Sequence, residues 1–126
     1  MSPSIFPKRR ADGSFSVAVR YAVLQGDAIQ GVRDRVAGWV ERKETVDHLD
    51  VAAEFIRPPY VDVLDSSVMQ VVFDCVPPSA LWKGLMVELA SELNTVNGIK
   101  RLGFWDLVAG VVHPASVEAP NDRPSQ

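Results

Sequence analysis

The spacing of apolar residues changes several times along this chain of 126 residues, and these changes constrain the fold more than any other feature. Residues 15–24 alternate between large apolar side chains and small or polar ones, which is the period of a strand with one buried face. From Ile29 to about Lys43, apolar residues recur every three or four positions, which indicates an amphipathic helix. The chain therefore begins with a predicted strand and a predicted helix.

The middle of the chain returns to the strand period. Residues 48–56 and 68–76 alternate again, and both are predicted strands. Two prolines, Pro77 and Pro78, end the latter because proline cannot donate a hydrogen bond to a neighbouring strand. Two further strands are thus expected between the first helix and the second.

A second helix and a last strand complete the pattern. Residues 79–96 carry a leucine stripe at helical spacing, and Asn97-Gly98 is a typical helix end. The last strand is predicted within 99–112, where Gly103 and Gly110 indicate a bulge or a break in the alternation.

The order strand, helix, strand, strand, helix, strand predicts an α+β fold of ferredoxin-like βαββαβ topology. In that fold both helices cover one face of an antiparallel sheet, and the first and third strands lie in its centre. We expect residues 14–113 to form a single domain. Residues 1–13, with the solvated basic cluster at 8–10, form an irregular arm, and the proline-rich residues 114–126 a disordered tail.

This fold predicts which side chains are buried and which line the helix-free face of the sheet. The predicted core contains Leu85, Leu89 and Leu93 together with Val17, Val19, Val71 and Phe73. The predicted free face contains Ala18, Arg20, Ala22, Asp50, Ala52, Glu54, Gln70, Val72 and Asp74. Arg20 is expected opposite Asp74 or Gln70 on the neighbouring central strand. The small alanines favour close approach by another surface, so Arg20 and Asp74 are candidate binding residues.

The stretch FIRPPYVDVLDSS, residues 55–67, contains a second candidate contact. Its two prolines are predicted to end the second strand, which leaves a connection of about ten residues, long for a hairpin. Four apolar or aromatic residues of this connection are predicted to form a contact arm covered by a partner or by the domain's own helix: Tyr60, Val61, Val63 and Leu64. Tyr60 is its predicted anchor, because tyrosine offers a large contact area at a low cost in side-chain entropy.

Composition argues against two classes of partner. The net charge is −3, whereas nucleic-acid binders usually have a basic surplus. Phe15, Tyr21 and Phe73 are predicted on the core side, so bases would find no aromatic platform on the free face. No apolar run approaches the roughly 20 residues of a membrane helix, and the N-terminal charges are not arranged as in a secretory signal. We therefore expect neither nucleic acid nor membrane as a partner, and a cytoplasmic location.

Catalytic and metal chemistry have few candidates. His48 is predicted at a strand end, His113 beside the tail, and Cys75 on the core side, so we expect none of the three to be catalytic. One cysteine and two histidines cannot assemble a zinc cluster, and no glycine-rich phosphate loop is present. No metal and no cofactor are therefore predicted.

These observations predict a non-catalytic protein-interaction domain, of the kind found in small bacterial or phage accessory proteins. It would act as a homodimer or by binding another protein. The alternative is a small-molecule-binding protein or cofactor-independent enzyme that uses a cleft over the free sheet face. Arg20 would then grip an anion, beside the polar groups of His48, Asp50, Glu54 and Asp74.

Overall fold

The computed structural model describes residues 7–112, so His113 and the tail predicted at 114–126 lie outside the described residues. The described part has five strands and three helices. In chain order they are β1 (Phe15–Val23), α1 (Ala28–Thr45), α2 (Val51–Glu54), β2 (Phe55–Asp65), β3 (Val68–Cys75), α3 (Trp82–Leu93), β4 (Ile99–Asp106) and β5 (Val111–Val112). Within residues 7–112, none of the helices has the length and apolar character needed to cross a bilayer.

All five strands belong to one antiparallel sheet with the order β2-β3-β1-β4-β5. The predicted two-helix, ferredoxin-like βαββαβ arrangement is therefore wrong, although the α+β character is right. Within the predicted strand at 48–56, Val51–Glu54 form the short helix α2 and only Phe55 and Ile56 belong to a strand, because the alternation includes two alanines that suit a helical turn equally well. In addition, Val111 and Val112 pair with Asp106 and Trp105 as a fifth strand.

The prediction that the two prolines end the second strand and begin a long connection is also wrong. Pro58 and Pro59 lie inside β2, which pairs with β3 from Phe55 to Asp65, and the register shifts on both sides of the prolines. Proline is tolerated there because β2 is an edge strand with only one hydrogen-bonded neighbour. The turn to β3 is short, and the Asp65 carboxylate closes it by accepting hydrogen bonds from the Ser67 amide at 2.7 Å and hydroxyl at 2.8 Å.

The core lies between one face of the sheet and the helices α1 and α3. The sheet contributes Phe15, Val17, Val19, Tyr21, Val61, Met69, Val71, Phe73 and Phe104, and the helices contribute Val32, Val36, Trp39, Leu85, Met86, Leu89 and Leu93. Each residue predicted for the core is at most 8% exposed, so that prediction is confirmed. The helices therefore occupy one face of the sheet.

Polar side chains also link α1 to α3. The Trp39 indole N–H donates to the Glu88 carboxylate at 2.9 Å, and the Lys43 ammonium pairs with the same carboxylate. One guanidinium nitrogen of Arg42 donates to both carboxylate oxygens of Glu92, at 2.6 and 2.7 Å. Both helices are thereby held together over the same side of the sheet.

Residues 7–14 are held by hydrogen bonds, although they form no helix or strand. The Arg9 guanidinium donates to the carbonyl oxygens of Gly13 at 2.8 Å and Pro77 at 3.2 Å. The Lys8 backbone N–H donates to the carboxylate of Asp106, which is fully buried, at 2.7 Å. The basic cluster at 8–10 is exposed, as expected, but its segment is hydrogen-bonded to the domain.

Replacing Leu89 by Ala should lower the free energy of unfolding by about 2–5 kcal/mol, because Leu89 is fully buried and its loss leaves a cavity. Chemical denaturation measures this change. The matched control is Val87→Ala on the same helix, where the side chain is 41% exposed and the loss should stay below about 0.5 kcal/mol. Equal losses in both variants would contradict the assignment of the buried side of α3.

Replacing Tyr21 by Phe should leave stability unchanged or raise it. The Tyr21 hydroxyl is buried without a hydrogen-bond partner among the described residues, and burial raises its pKa. Removing an unsatisfied buried hydroxyl removes a desolvation penalty of about 1–3 kcal/mol. A denaturation midpoint clearly below that of the original chain would show that the hydroxyl has a partner after all.

Candidate functional site on the open sheet face

The face of the sheet turned away from α1 and α3, here called the open face, carries one continuous row of aromatic and apolar side chains. Five residues that stand next to one another on adjacent strands form this aromatic row, in the order Tyr60, Val72, Ala18, Trp105 and Val112. One residue comes from each strand of the sheet. The row therefore spans the whole width of the sheet, with an aromatic ring on each side of its centre.

The accessible part of the aromatic row lies at its flanks. Ala18 is 0% and Val72 is 3% exposed, because longer neighbours close over them, while Tyr60 and Trp105 are half-buried. Val112 is 52% exposed at the edge of the sheet. A partner resting on this face would therefore meet the two aromatic rings and Val112 first.

Trp105 reaches the open face because β4 contains an irregularity. Arg101 pairs with Tyr21 and Gly103 with Arg20, so Leu102 has no partner on β1. This extra residue reverses the alternation that follows it: Phe104 points into the core and Trp105 to the open face. Gly103 adopts a positive φ of 145°, a conformation that favours glycine.

A first polar row lies beside the aromatic row and holds Trp105. The Gln70 side-chain amide donates to Asp62 at 3.1 Å, and Arg20 donates to the Gln70 oxygen at 3.3 and 3.0 Å. The Arg20 guanidinium also lies 4.3 Å from the centre of the Trp105 ring. A cation at that distance is attracted to the ring face. Of the two predicted partners of Arg20, Gln70 stands opposite it across the central strands, whereas Asp74 stands opposite Ser16.

A second polar row lies on the other side of the aromatic row. The Ser16 hydroxyl donates to one oxygen of Asp74 at 2.5 Å, and Arg57 lies 3.2 Å from the other. Arg10 donates to the Ser16 hydroxyl at 2.7 Å. Partial burial, followed by the nearby Asp74 carboxylate, raises the pKa of Tyr60. Asp74 and Arg20 thus belong to different networks, one on each side of the aromatic row.

The predicted contact arm is distributed over both faces of β2. Tyr60 is on the open face, whereas Val61 is only 9% exposed and belongs to the core. Val63 and Leu64 are 39% and 44% exposed near the turn to β3. The structure therefore keeps Tyr60 as a candidate contact and buries Val61.

Asp50, Ala52 and Glu54 do not line the open face, because they belong to α2 or precede it. The Glu54 carboxylate instead accepts hydrogen bonds from the Ser79 hydroxyl at 2.6 Å and the Leu81 amide at 3.0 Å. Glu54 thus anchors the chain before α3, a structural role that the alternating pattern did not reveal.

The candidates for chemistry lie apart from the open face. His48 is exposed in a connection, with a positive φ of 57°. Cys75 is fully buried on the core side as predicted, and burial raises the pKa of its thiol to about 12. Within residues 7–112, no three histidine, cysteine or acidic side chains form a group that could hold a metal ion.

A shallow groove of about 210 Å³ lies between α1 and the edge strand β2. Its lining consists of Arg33, Val36, Ala37, Pro59, Tyr60 and Val61. Pockets that enclose drug-sized molecules usually measure about 300–1,000 Å³, so this groove is small for such a ligand.

No protein-family model matches this chain, and searches of curated proteins and of solved structures return no match. The geometry of the open face is therefore the basis for assigning a function.

Replacing Ser16 by Ala should lower the free energy of unfolding by about 1–3 kcal/mol, because Asp74, only 8% exposed, would lose its closest hydrogen-bond donor. The control Ser66→Ala removes a hydroxyl from an exposed turn and should change stability by less than about 0.5 kcal/mol. If both variants unfold at the same denaturant concentration, the second polar row does not stabilise the sheet.

Proposed function

We propose that this chain is a protein-binding domain of the cytoplasm, and that its open face contacts the partner, either another copy of the chain or a different protein. The observation that carries the proposal is the aromatic row, which crosses all five strands on the face without helices. The cytoplasm keeps a lone cysteine such as Cys75 reduced.

The residue types at the accessible flanks suit a protein interface. Tyrosine, tryptophan and arginine are enriched at the energetically important positions of such interfaces. Here Tyr60 and Trp105 each have an arginine nearby, with Arg57 5.5 Å from one ring centre and Arg20 4.3 Å from the other. Side chains already held in place lose less conformational freedom on binding, which favours affinity.

Two aromatic rings on a sheet face also suit stacking with unpaired bases, and the expectation that the open face has none was wrong. The charges favour a protein instead. Asp62 and Asp74 share the two polar rows with Arg20 and Arg57, so both rows contain carboxylates as well as cations, and the net charge of the chain is −3. Nucleic-acid binding depends on a surplus of cations facing the phosphates, so these carboxylates oppose it.

A small-molecule or enzymatic function requires a concave pocket with converging polar groups. The groove lies beside α1 rather than over the open face, and Arg33 supplies the charge in its lining. Arg20, the proposed anion-gripping residue, is bonded to Gln70 and stacked on Trp105. These contacts favour a structural and interfacial role for Arg20 over substrate binding.

A photoreactive benzoyl-phenylalanine placed at Val112, the exposed end of the aromatic row, should cross-link to a protein in the cells that produce this chain. The control places the same group at Val87, 41% exposed on α3 at the opposite side of the domain. We expect protein adducts from position 112 and few from position 87. Equal adducts at both positions, no protein adduct, or an adduct removed by nuclease would contradict the proposal.

A further inference from the structure

We propose that the partner is a second copy of this chain, docked with its open face against the first about a two-fold axis parallel to the strands. The inference rests on the proposed function and adds the identity and orientation of the partner. Its basis is the distribution of charge in the two rows of the open face that contain Asp62 and Asp65, where acidic and basic side chains lie on opposite sides of the sheet's midline.

In these two rows the acidic side chains lie on the edge strand β2. Asp62 stands opposite Gln70 on β3, and Asp65 stands opposite Val68 one row further along. Both carboxylates lie on the first strand of the sheet order. Asp65 is exposed, and Asp62 is half-buried.

The basic side lies across β1 and β4. The Arg20 guanidinium extends from β1 to the Trp105 ring on β4. Lys100 on β4 stands opposite Ala22 of the open face, and it is exposed. The same two rows that carry carboxylates on β2 therefore carry cations two and three strands away.

A two-fold axis that runs along the strands, between β3 and β1, brings the carboxylates of one copy opposite the cations of the other. It places β2 of each copy over β4 of the other, since the two strands lie at equal distances from the midline. Asp62 then approaches Arg20 of the second copy, Asp65 approaches its Lys100, and Tyr60 approaches its Trp105. Because a two-fold interface is self-complementary, each contact occurs twice. Gly103, opposite Arg20 on β4, has no side chain to obstruct the incoming carboxylate.

The area of the open face determines the affinity that we expect for the dimer. Strands about 4.8 Å apart with about 3.3 Å per residue give a four-stranded face of roughly 20 Å by 25 Å. This is at the low end for stable protein interfaces, so we expect micromolar affinity. Charge pairs at the rim of such an interface select the orientation more than they add affinity.

Sedimentation velocity of the purified full chain between about 1 and 100 µM tests the proposal, and we expect a concentration-dependent dimer. Asp65→Lys and Lys100→Glu should each weaken this dimer at least tenfold, because each places like charges opposite one another. An equimolar mixture of the two variants should form a heterodimer, since the introduced lysine of one variant then faces the introduced glutamate of the other. Circular dichroism confirms that each variant is folded.

The matched control is Glu44→Lys, which makes the same charge change on an exposed residue of α1 and should leave the dimer constant unaltered. A chain that stays monomeric at 100 µM, or a dimer insensitive to both open-face variants, would overturn this inference. If the chain is monomeric but still cross-links to another protein through position 112, only the proposal of self-association is contradicted. If position 112 yields no protein adduct, the proposed protein-binding function is contradicted as well.

Discussion

One extra residue in β4 decides which side chains reach the open face. Because Leu102 has no partner on β1, the alternation after it is reversed, and Trp105 joins the row that also contains Ala18 and Val72. Without this irregularity, Phe104 would occupy the open face and Trp105 would point into the core. The aromatic row, its stacked arginine and the proposed contact surface all depend on that shift of register.

The two faces of the sheet are stabilised by different interactions. On one face, α1 and α3 bury a continuous apolar core and are fastened to each other through Glu88 and Glu92. On the other, long polar side chains lie across small apolar ones and bond to one another, as Arg20 does with Gln70. The open face is therefore ordered before any partner arrives, and its aromatic rings have defined positions.

The sequence predicts the parts in which one period persists over many residues. The strand at 15–24, the two long helices and the buried leucines of α3 follow from such patterns and are confirmed. The structure of residues 48–65 could not be inferred from the sequence pattern, because a short alternation that includes alanines suits a helical turn as well as a strand. An edge strand also accepts prolines that would end an interior one.

The candidate site was predictable only in part. Arg20, Asp74 and Tyr60 were found from alternation or from their chemistry, and the structure places all three on the open face, although Tyr60 lies in a strand and not in a loop. Trp105 was missed because sequence periodicity cannot locate the residue at which a bulge reverses the pattern. Gly103 was the available signal for that bulge. It indicated an irregularity, but it did not show which of the following residues point to the open face.

The indole N–H resonances of the tryptophans test the central claim most directly, namely that association buries the open face. Trp39 is 2% exposed in the core, whereas Trp105 is half-buried on the open face. On dilution from about 1 mM to 10 µM, the Trp105 resonance should shift with the monomer–dimer equilibrium, while the Trp39 resonance stays in place. An association that shifts Trp39 and leaves Trp105 unchanged would contradict the account.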